Sequence, residues 1–350
     1  MTKFIQLHLL TAYPPSNPNR DDAGRPKTAQ MGGVERLRIS SQSLKRAWRT
    51  SDVFQSAMAG HMGVRTRLLG KEYVYDPMVA AGVDEKKAEA DAIQIAGVFG
   101  KCEDKKYSLK QAVHVSPYEI SQIGNLVKER IAYYAESSKG DDKISDKSLA
   151  LLKNEQRSVD IAMFGRMLAD KTEFNSEAAC QVSHALGVSA VTVEDDFFTA
   201  VDDLNKDNNG AAHMNEQGFA SSLCYTYICI SKDLLVQNLD GNEELANKAI
   251  SALLECALTI APSGKQNSFA NRVYASYAMA EVGTQQPRSL AVAFFKPVSG
   301  TDQVTEAINR LEKQRADFNA VYGLSDEKSY IMNASMGNGS LKELLDFVQQ

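Results

Sequence analysis

The alternation of apolar and polar residues near the amino terminus predicts two β-strands joined by a long connection. Residues 4–10 alternate well enough to form a strand. Residues 34–39 predict a second strand, with Leu37 and Ile39 on one face and two arginines on the other. Residues 11–33 contain proline and glycine throughout, which predicts a long loop.

A helix is predicted to begin after this second strand, because Ser40 is a good N-cap residue and an apolar stripe follows it. Leu44 and Trp48 lie one turn apart on that stripe and should face the core. The opposite face of the helix carries only polar and cationic residues, namely Gln42, Lys45, Arg46 and Arg49.

The middle of the chain has a weaker pattern. Residues 60–157 are mainly polar with a helical period, clearest over 84–99 and 116–137. Residues 158–167 predict a strand and residues 179–186 a short helix.

A long hairpin is predicted over residues 188–231, with arms at 188–193 and 219–230 and a polar tip at 205–210. Such an arm has little core of its own and needs to pack against something else.

The carboxy-terminal part has the most regular order of elements. It predicts strand 221–230, helix 242–260, strand 272–282, strand 289–295, helix 301–322 and strand 328–334. This split βαβ order is that of ferredoxin-like folds and of the RRM. We therefore expect an α+β fold in which the first strand and helix of the chain complete the same sheet.

Charge is distributed unevenly. The net charge is −5, yet residues 1–67 contain 11 Lys/Arg and 4 Asp/Glu, a balance of +7 that leaves −12 for the remainder. A basic surface on an acidic body suits a protein that binds one polyanion along one groove. Charge alone leaves open the alternative that this is an ordinary solvated surface.

The basic segment places suitable groups for phosphate around the start of the helix at Ser40. A helix N-terminus has free backbone N–H groups, and arginine makes bidentate contacts to phosphate oxygens. Arg20 and Lys27 in the preceding loop lie within reach of the same ligand. A second candidate is the pair Phe197–Phe198, which is either a core anchor or a base-stacking wedge in the hairpin.

Motifs of catalysis are lacking in the sequence. Gly264–Lys265 lacks the rest of a P-loop, and neither HExxH nor GxSxG occurs.

The five cysteines fit neither a disulfide framework nor a zinc site, so we expect free thiols, no cofactor and no metal. Asp21 and Asp22 leave one alternative open, a Mg²⁺-dependent nuclease, although simple solvation of the loop is the favoured explanation for both aspartates. The lack of a long apolar run predicts a cytoplasmic protein without a membrane partner.

Sequence blocks spread along the chain resemble the CasC family, the backbone subunits of type I-E CRISPR Cascade complexes. The blocks are Asn19-Arg-Asp-Asp22, Gly32-Gly33, Arg38-Ile-Ser-Ser-Gln-Ser-Leu-Lys-Arg46, Val159-Asp-Ile-Ala162, Gly165-Arg-Met167, Phe198-Thr-Ala-Val-Asp-Asp-Leu204 and, more weakly, Gly264-Lys-Gln266. Residues 60–157 and about the last fifty match only in general character.

The resemblance implies a hand-like, non-catalytic protein. Its expected parts are an RRM-like palm (residues 1–59, 158–187 and 221–350), a helical fingers insertion (60–157) and a hairpin thumb (188–220). RNA contacts are implied for Arg20, Lys27, Ser40, Gln42, Lys45, Arg46, Arg49, Arg166, Met167, Phe197, Phe198, Thr199, Lys265 and Gln266.

The implied partners are crRNA, target DNA paired to the guide, further copies of the chain arranged head to tail, and other Cascade subunits (CasA, CasB, CasD and CasE-like). Each thumb would displace a base of the RNA that its neighbour holds, so that the guide pairs with target DNA in short segments during R-loop formation. The alternatives are a related RNA-cleaving subunit that uses Asp21 and Asp22, and an unrelated ferredoxin-like adaptor or enzyme.

Overall fold

The computed structural model describes residues 2–103, 107–136, 143–200, 213–324 and 328–349, except the side chains of residues 200 and 213–215. The strands are β1 (Phe4–Ser16), β2 (Thr28–Met31), β3 (Val34–Ile39), β4 (Val64–Thr66), β5 (Val113–Val115), β6 (Cys180–Val182), β7 (Ala185–Gly187), β8 (Glu194–Ala200), β9 (His213–Ser231), β10 (Ala275–Gly283) and β11 (Lys328–Asn333). The helices are α1 (Ser41–Arg49), α2 (Asp52–Ala57), α3 (Asp76–Ala80), α4 (Glu85–Gly97), α5 (Pro117–Glu136), α6 (Val159–Phe164), α7 (Lys232–Asn238), α8 (Glu243–Thr259), α9 (Gln266–Phe269), α10 (Gln303–Tyr322) and α11 (Leu341–Gln349).

The chain divides into two compact units. The sheet unit comprises Met1–Ala57, Gln181–Lys232 and Ile250–Gln350, and the helical unit comprises Met58–Cys180 and Asp233–Ala249. Helices and antiparallel strands are combined in this way in α+β proteins, which confirms the predicted fold class at that level.

The sheet unit is built on strands in the order β11-β10-β1-β9-β7-β3-β2, with β6 and β8 also pairing to β9. β1 is central and pairs with β9 along one edge and β10 along the other. Consecutive residues from Ile5 to Thr11 are buried, so both faces of this part of the strand are covered. His8 on β1 is a buried core histidine: its Nε2 lies 3.1 Å from Glu281 Oε2 and its Nδ1 2.9 Å from Tyr225 Oη.

Helices α10 and α1 both pack into the core of the sheet unit. Leu10 and Tyr277 of the sheet pack with Phe294 and with Leu311 of α10. On α1, Leu44 and Trp48 are buried as predicted, and Trp48 Nε1 donates to the carbonyl of Ile260 at 3.2 Å. The polar face of α1 is thereby turned away from the core.

The helical unit has its own apolar core, which includes Leu69, Ile95 and Ile123. A buried ion pair lies beside it, where Arg130 donates to both carboxylate oxygens of Asp91 at 2.7 and 3.0 Å.

Several boundaries differ from those predicted. β1 continues to Ser16, and β2 forms within the predicted loop 11–33. The predicted hairpin exists, but its first arm is β8 rather than residues 188–193, and β9 is a single strand long enough to serve both hairpin and sheet. The predicted tip at 205–210 lies outside the described residues.

Three secondary-structure predictions were wrong. Residues 159–164 form α6 where a strand was predicted over 158–167. Residues 180–182 and 185–187 form β6 and β7 where a helix was predicted over 179–186. Residues 291–294 form a 3₁₀-helix inside the predicted strand 289–295. Short apolar runs fit a buried helix or a buried strand equally well, so their period does not decide between them.

The two arginines of β3 were predicted to share one face of the strand, but their environments differ. Arg36 is fully buried and donates to the carbonyls of Gly187 at 3.1 Å and Phe294 at 2.9 Å. Gly32, in the turn before β3, permits this packing, because a Cβ there would lie 1.7 Å from the carbonyl oxygen of Phe295.

Two further predictions concern cysteines and membranes. All five cysteines are free, as predicted, and four of them are buried. Across the described part of the chain, every helix is too short or too polar to cross a bilayer.

Candidate nucleic-acid interface

The N-terminus of α1 is held by side chains of the chain itself. Ser40 is the N-cap, and its hydroxyl accepts from the backbone N–H of Ser43 at 3.3 Å. The Ser40 N–H in turn donates to Asn19 Oδ1 at 2.8 Å. Ser40 is buried, so its structural task is capping, while the asparagine joins the preceding loop to the start of the helix.

The outward face of α1 presents the predicted cations. Gln42 and Arg46 are exposed, and Lys45 and Arg49 are half-buried. These residues are spaced three and four apart and therefore form one continuous stripe. Arg46 and Arg49 lie in the last turn, where cations also stabilise the helix dipole.

The loop between β1 and β2 brings Arg20 and Lys27 to the same region. The Lys27 N–H donates to the carbonyl of Asn19 at 2.9 Å, and the carbonyl of Lys27 accepts from the N–H of Arg38 at 2.8 Å. Arg20 forms a bridge with Pro26 and is exposed. The basic residues of the loop are thus attached through Asn19 to the strand and helix that follow.

Asp21 is a turn residue of this loop. Its Oδ1 accepts from the N–H groups of Ala23 and Arg25, each at 2.9 Å. This Asx-type arrangement accounts for an aspartate at that position without a ligand. Within the described ranges, no group of three or more His, Cys, Asp or Glu side chains is placed to hold a metal ion.

His184 also belongs to the basic region and was not among the predicted site residues. It lies between β6 and β7, and its Nδ1 is 3.3 Å from Arg38 Nη1. Burial lowers the pKa of His184, and the charges of Arg38, Lys27 and Lys45 lower it further. A single histidine 146 residues from Arg38 carries no local signal of this pairing, which only the sheet creates.

The hairpin formed by β8 and the start of β9 carries the aromatic pair. Phe197 is opposite Glu216 and Phe198 is opposite Asn215. Phe197 is 60% exposed and Phe198 40% exposed, so neither is a core anchor. Consecutive strand residues point to opposite faces, so the hairpin shows an aromatic ring on each face. Thr199 is exposed next to them.

A cleft of about 530 Å³ lies at the base of this hairpin. Its lining residues come from the loop, the hairpin and the segment before α9: Arg20, Ala23, Gly24, Arg25, Asp195, Glu216, Gln217, Gly218 and Lys265. Arg25 Nη1 bonds Asp195 Oδ1 at 2.7 Å and closes the loop onto the hairpin. The predicted residues Arg20 and Lys265 are therefore neighbours in space.

Lys265 approaches this cleft because of the glycine before it. A Cβ on Gly264 would lie 2.3 Å from the carbonyl oxygen of Pro18, so only glycine lets the two segments come this close. Gln266 is half-buried, and its amide donates to the carbonyl of Pro262 at 3.3 Å.

Arg166 and Met167 both lie in the helical unit, but they differ sharply in solvent exposure. Arg166 is buried, and its Nη1 is 2.8 Å from both carboxylate oxygens of Glu119. Its guanidinium is therefore bound by groups inside the unit and is not available to make a bidentate contact with a nucleotide. Met167 is 87% exposed, which is unusual for a large apolar side chain.

A family model and two solved structures each match nearly the whole chain. The family model described as "CT1975-like protein" matches residues 5–347. A chain of a "CRISPR RNA-guided surveillance complex, pre-nicking" is 29% identical, with a TM-score of 0.86 over 99% of both chains. A chain of a "CRISPR RNA-guided surveillance complex" is 25% identical, with a TM-score of 0.76 over 99% of both chains. No curated protein gave a significant sequence match.

Proposed function

The chain belongs to the CT1975-like protein family, and we propose that it is a non-catalytic backbone subunit that coats guide RNA in a CRISPR surveillance complex. The similar solved chains, which are named as parts of such complexes and align over nearly their whole length, support this function.

The basic surface around α1 is the observation that carries the proposal. It combines the cationic stripe of α1 with residues delivered by the preceding loop, chiefly Arg20 and Lys27. Groups of this kind contact phosphates and carry no sequence information. A subunit that holds guides of arbitrary sequence needs this type of contact, because base pairing is reserved for reading the target.

The hairpin supplies the second part of the proposed mechanism. Phe197 and Phe198 are exposed on opposite faces, where each can stack on a base of any identity. Stacking on an aromatic ring contributes about 1–3 kcal/mol per base. In our proposal the hairpin is a thumb that reaches over the RNA bound by the neighbouring copy and displaces one base at each repeat.

The finer assignment is to a type I-E complex with copies arranged head to tail. The palm is proposed to contain the order β1-α1-β7-β9-α8-β10, a split βαβ arrangement like that of the RRM. The fingers correspond to residues 60–157 and the thumb to 188–220. A heterologous contact between copies builds a filament whose length the RNA limits, and the guide then pairs with target DNA in short segments.

Co-purification tests the proposed function most directly. The chain is expressed with its genomic neighbours, the assembly is purified, and its nucleic acid is resolved on a denaturing gel. We expect one discrete guide-length RNA with several copies of the chain per RNA, together with other subunits of the complex. The lack of bound RNA, or a heterogeneous smear that moderate salt removes, would reject the proposal.

A further inference from the structure

A histidine lies among the cations that we assign to RNA binding. We infer that His184 donates a hydrogen bond from Nε2 to a phosphodiester oxygen, in a phosphate-binding subsite that it shares with Arg38, Lys27 and Lys45. This inference rests on the proposed function and adds a neutral imidazole donor to a surface made mainly of cations.

The contact with Arg38 determines which nitrogen of His184 carries the proton. A guanidinium has only N–H donors, so at 3.3 Å from Arg38 Nη1 the Nδ1 atom of His184 must be the acceptor. Burial and the three neighbouring cations lower the pKa of the imidazole and favour its neutral form. Neutral imidazole with an accepting Nδ1 carries its hydrogen on Nε2.

The hydrogen on Nε2 has no acceptor within the part of the chain that the structure describes. Arg38 also has no anionic partner among the described residues. It donates to the carbonyl of Thr28 at 3.2 Å and to His184, and no described carboxylate pairs with it. Arg25, by contrast, is paired with Asp195. An uncompensated arginine next to an unused N–H donor provides the combination that a phosphate group accepts.

The turn that carries His184 is held in place by the sheet. The N–H of Ser183 donates to the carbonyl of Tyr227 at 2.8 Å, and the hydroxyl of Ser183 accepts from the N–H of Tyr227 at 2.8 Å. Arg38 is fixed in the neighbouring strand β3, whose partner in this region is β7. The donor and the guanidinium are thus positioned before any ligand arrives, which lowers the entropic cost of binding.

Two conservative variants separate a phosphate contact from a purely structural role. The amide of His184→Gln occupies the position of Nε2, whereas that of His184→Asn occupies the position of Nδ1 and preserves an acceptor for Arg38. We expect His184→Ala and His184→Asn each to weaken binding of a mixed-sequence single-stranded RNA about tenfold, as for one lost bond to a charged group. His184→Gln should restore most of that loss.

The salt dependence of RNA affinity gives a second readout. A neutral donor releases no counterion, so the slope of log affinity against log salt should stay unchanged in His184→Ala, whereas Lys27→Ala should reduce it by about 0.7. Melting temperatures of all variants establish that the full chain remains folded.

Three outcomes overturn the inference. Recovery by His184→Asn but not by His184→Gln would mean that His184 only positions Arg38. A smaller salt slope in His184→Ala would mean that the histidine binds as a cation. Unchanged affinity in His184→Ala, with affinity lost in Lys45→Ala/Arg49→Ala, would remove His184 from the site and leave the proposed function standing. If the unaltered chain binds no RNA, the proposed function itself fails.

Discussion

Arg166 and Glu119 form a buried ion pair in the helical unit, with Arg166 Nη1 at 2.8 Å from both carboxylate oxygens. The other guanidinium nitrogens donate to the carbonyls of Phe174 and Lys153. The Gly-Arg-Met motif therefore combines a structural arginine with an exposed methionine, and only the methionine is available to a ligand.

The first prediction separates these two neighbours. Arg166→Ala should destabilise the protein by about 3–5 kcal/mol, because it leaves the charge of Glu119 buried without its counter-charge. Met167→Ala, at an 87% exposed position, should change stability by less than about 0.5 kcal/mol. Chemical denaturation of the two variants measures both values, and equal losses would contradict the assignment.

The second prediction concerns the turn that precedes β3. Gly32 and Gly33 both have positive φ, at 62° and 80°, but only Gly32 is pressed against the carbonyl of Phe295. Gly33→Ala should lower the free energy of unfolding by about 1–2 kcal/mol, because alanine is strained in this backbone conformation. Gly32→Ala should cost about 1–3 kcal/mol more because the Cβ also overpacks the contact. Urea unfolding of the pair checks the difference, and a costlier Gly33→Ala would refute it.

The third prediction concerns acid stability and Glu281. Burial by itself raises the pKa of this carboxyl group, but the hydrogen bond and charge of His8, with Arg315 and Arg288, outweigh it, so the pKa falls below its ordinary 4.5. A carboxylate with a lowered folded-state pKa stabilises the fold above its unfolded-state pKa. That stability is lost as the pH falls below about 4.5.

Glu281→Gln tests this directly. The variant should be less stable than the unaltered chain at pH 7, because Arg288 and Arg315 lose their shared counter-charge. Below pH 4.5 the difference in unfolding free energy between the unaltered chain and the variant should shrink by up to about 1.4 kcal/mol per pH unit. Urea titrations at pH 7, 5 and 3 measure it. A difference that is constant with pH would show that Glu281 does not titrate between these values.

The fourth prediction concerns the aromatic pair of the hairpin. Because Phe197 and Phe198 are 60% and 40% exposed, replacing both with alanine should change the melting temperature little. Trp48→Ala, in the core of the same unit, should cost about 3–5 kcal/mol. If the pair stacks on RNA, the double variant should still fold but assemble less well on guide RNA. A large loss of stability would place the two rings in the core instead.

The fifth prediction concerns the aspartates of the loop. Asp21→Ala should loosen the turn, because Asp21 Oδ1 accepts two backbone N–H groups, whereas Asp22→Ala should leave it intact. In the RNA-coating role, guide RNA bound to the unaltered chain should remain whole on incubation with Mg²⁺. Cleavage that both substitutions abolish would identify the nuclease alternative.

Local patterns determined a substantial part of this protein. The N-cap at Ser40, the apolar stripe through Leu44 and Trp48 and the cationic face opposite were all predictable, because a capping bond and a helical period involve residues only a few positions apart. Four carboxy-terminal elements were predictable as well, since α8, β10, α10 and β11 are long and regular. The predicted order of elements there was not, because residues 291–294 form a 3₁₀-helix inside the strand predicted at 289–295.

Only the tertiary structure decided which polar groups are buried and what they meet. Arg36 and Arg38 share one face of β3, yet Arg36 is covered by the segment at Phe294 and Arg38 meets His184. Residues 159–164 form a helix although the apolar run over 158–167 fitted a strand. Burial and hydrogen-bond partners arise from contacts between distant segments, and a linear pattern contains no information about which segments the fold brings together.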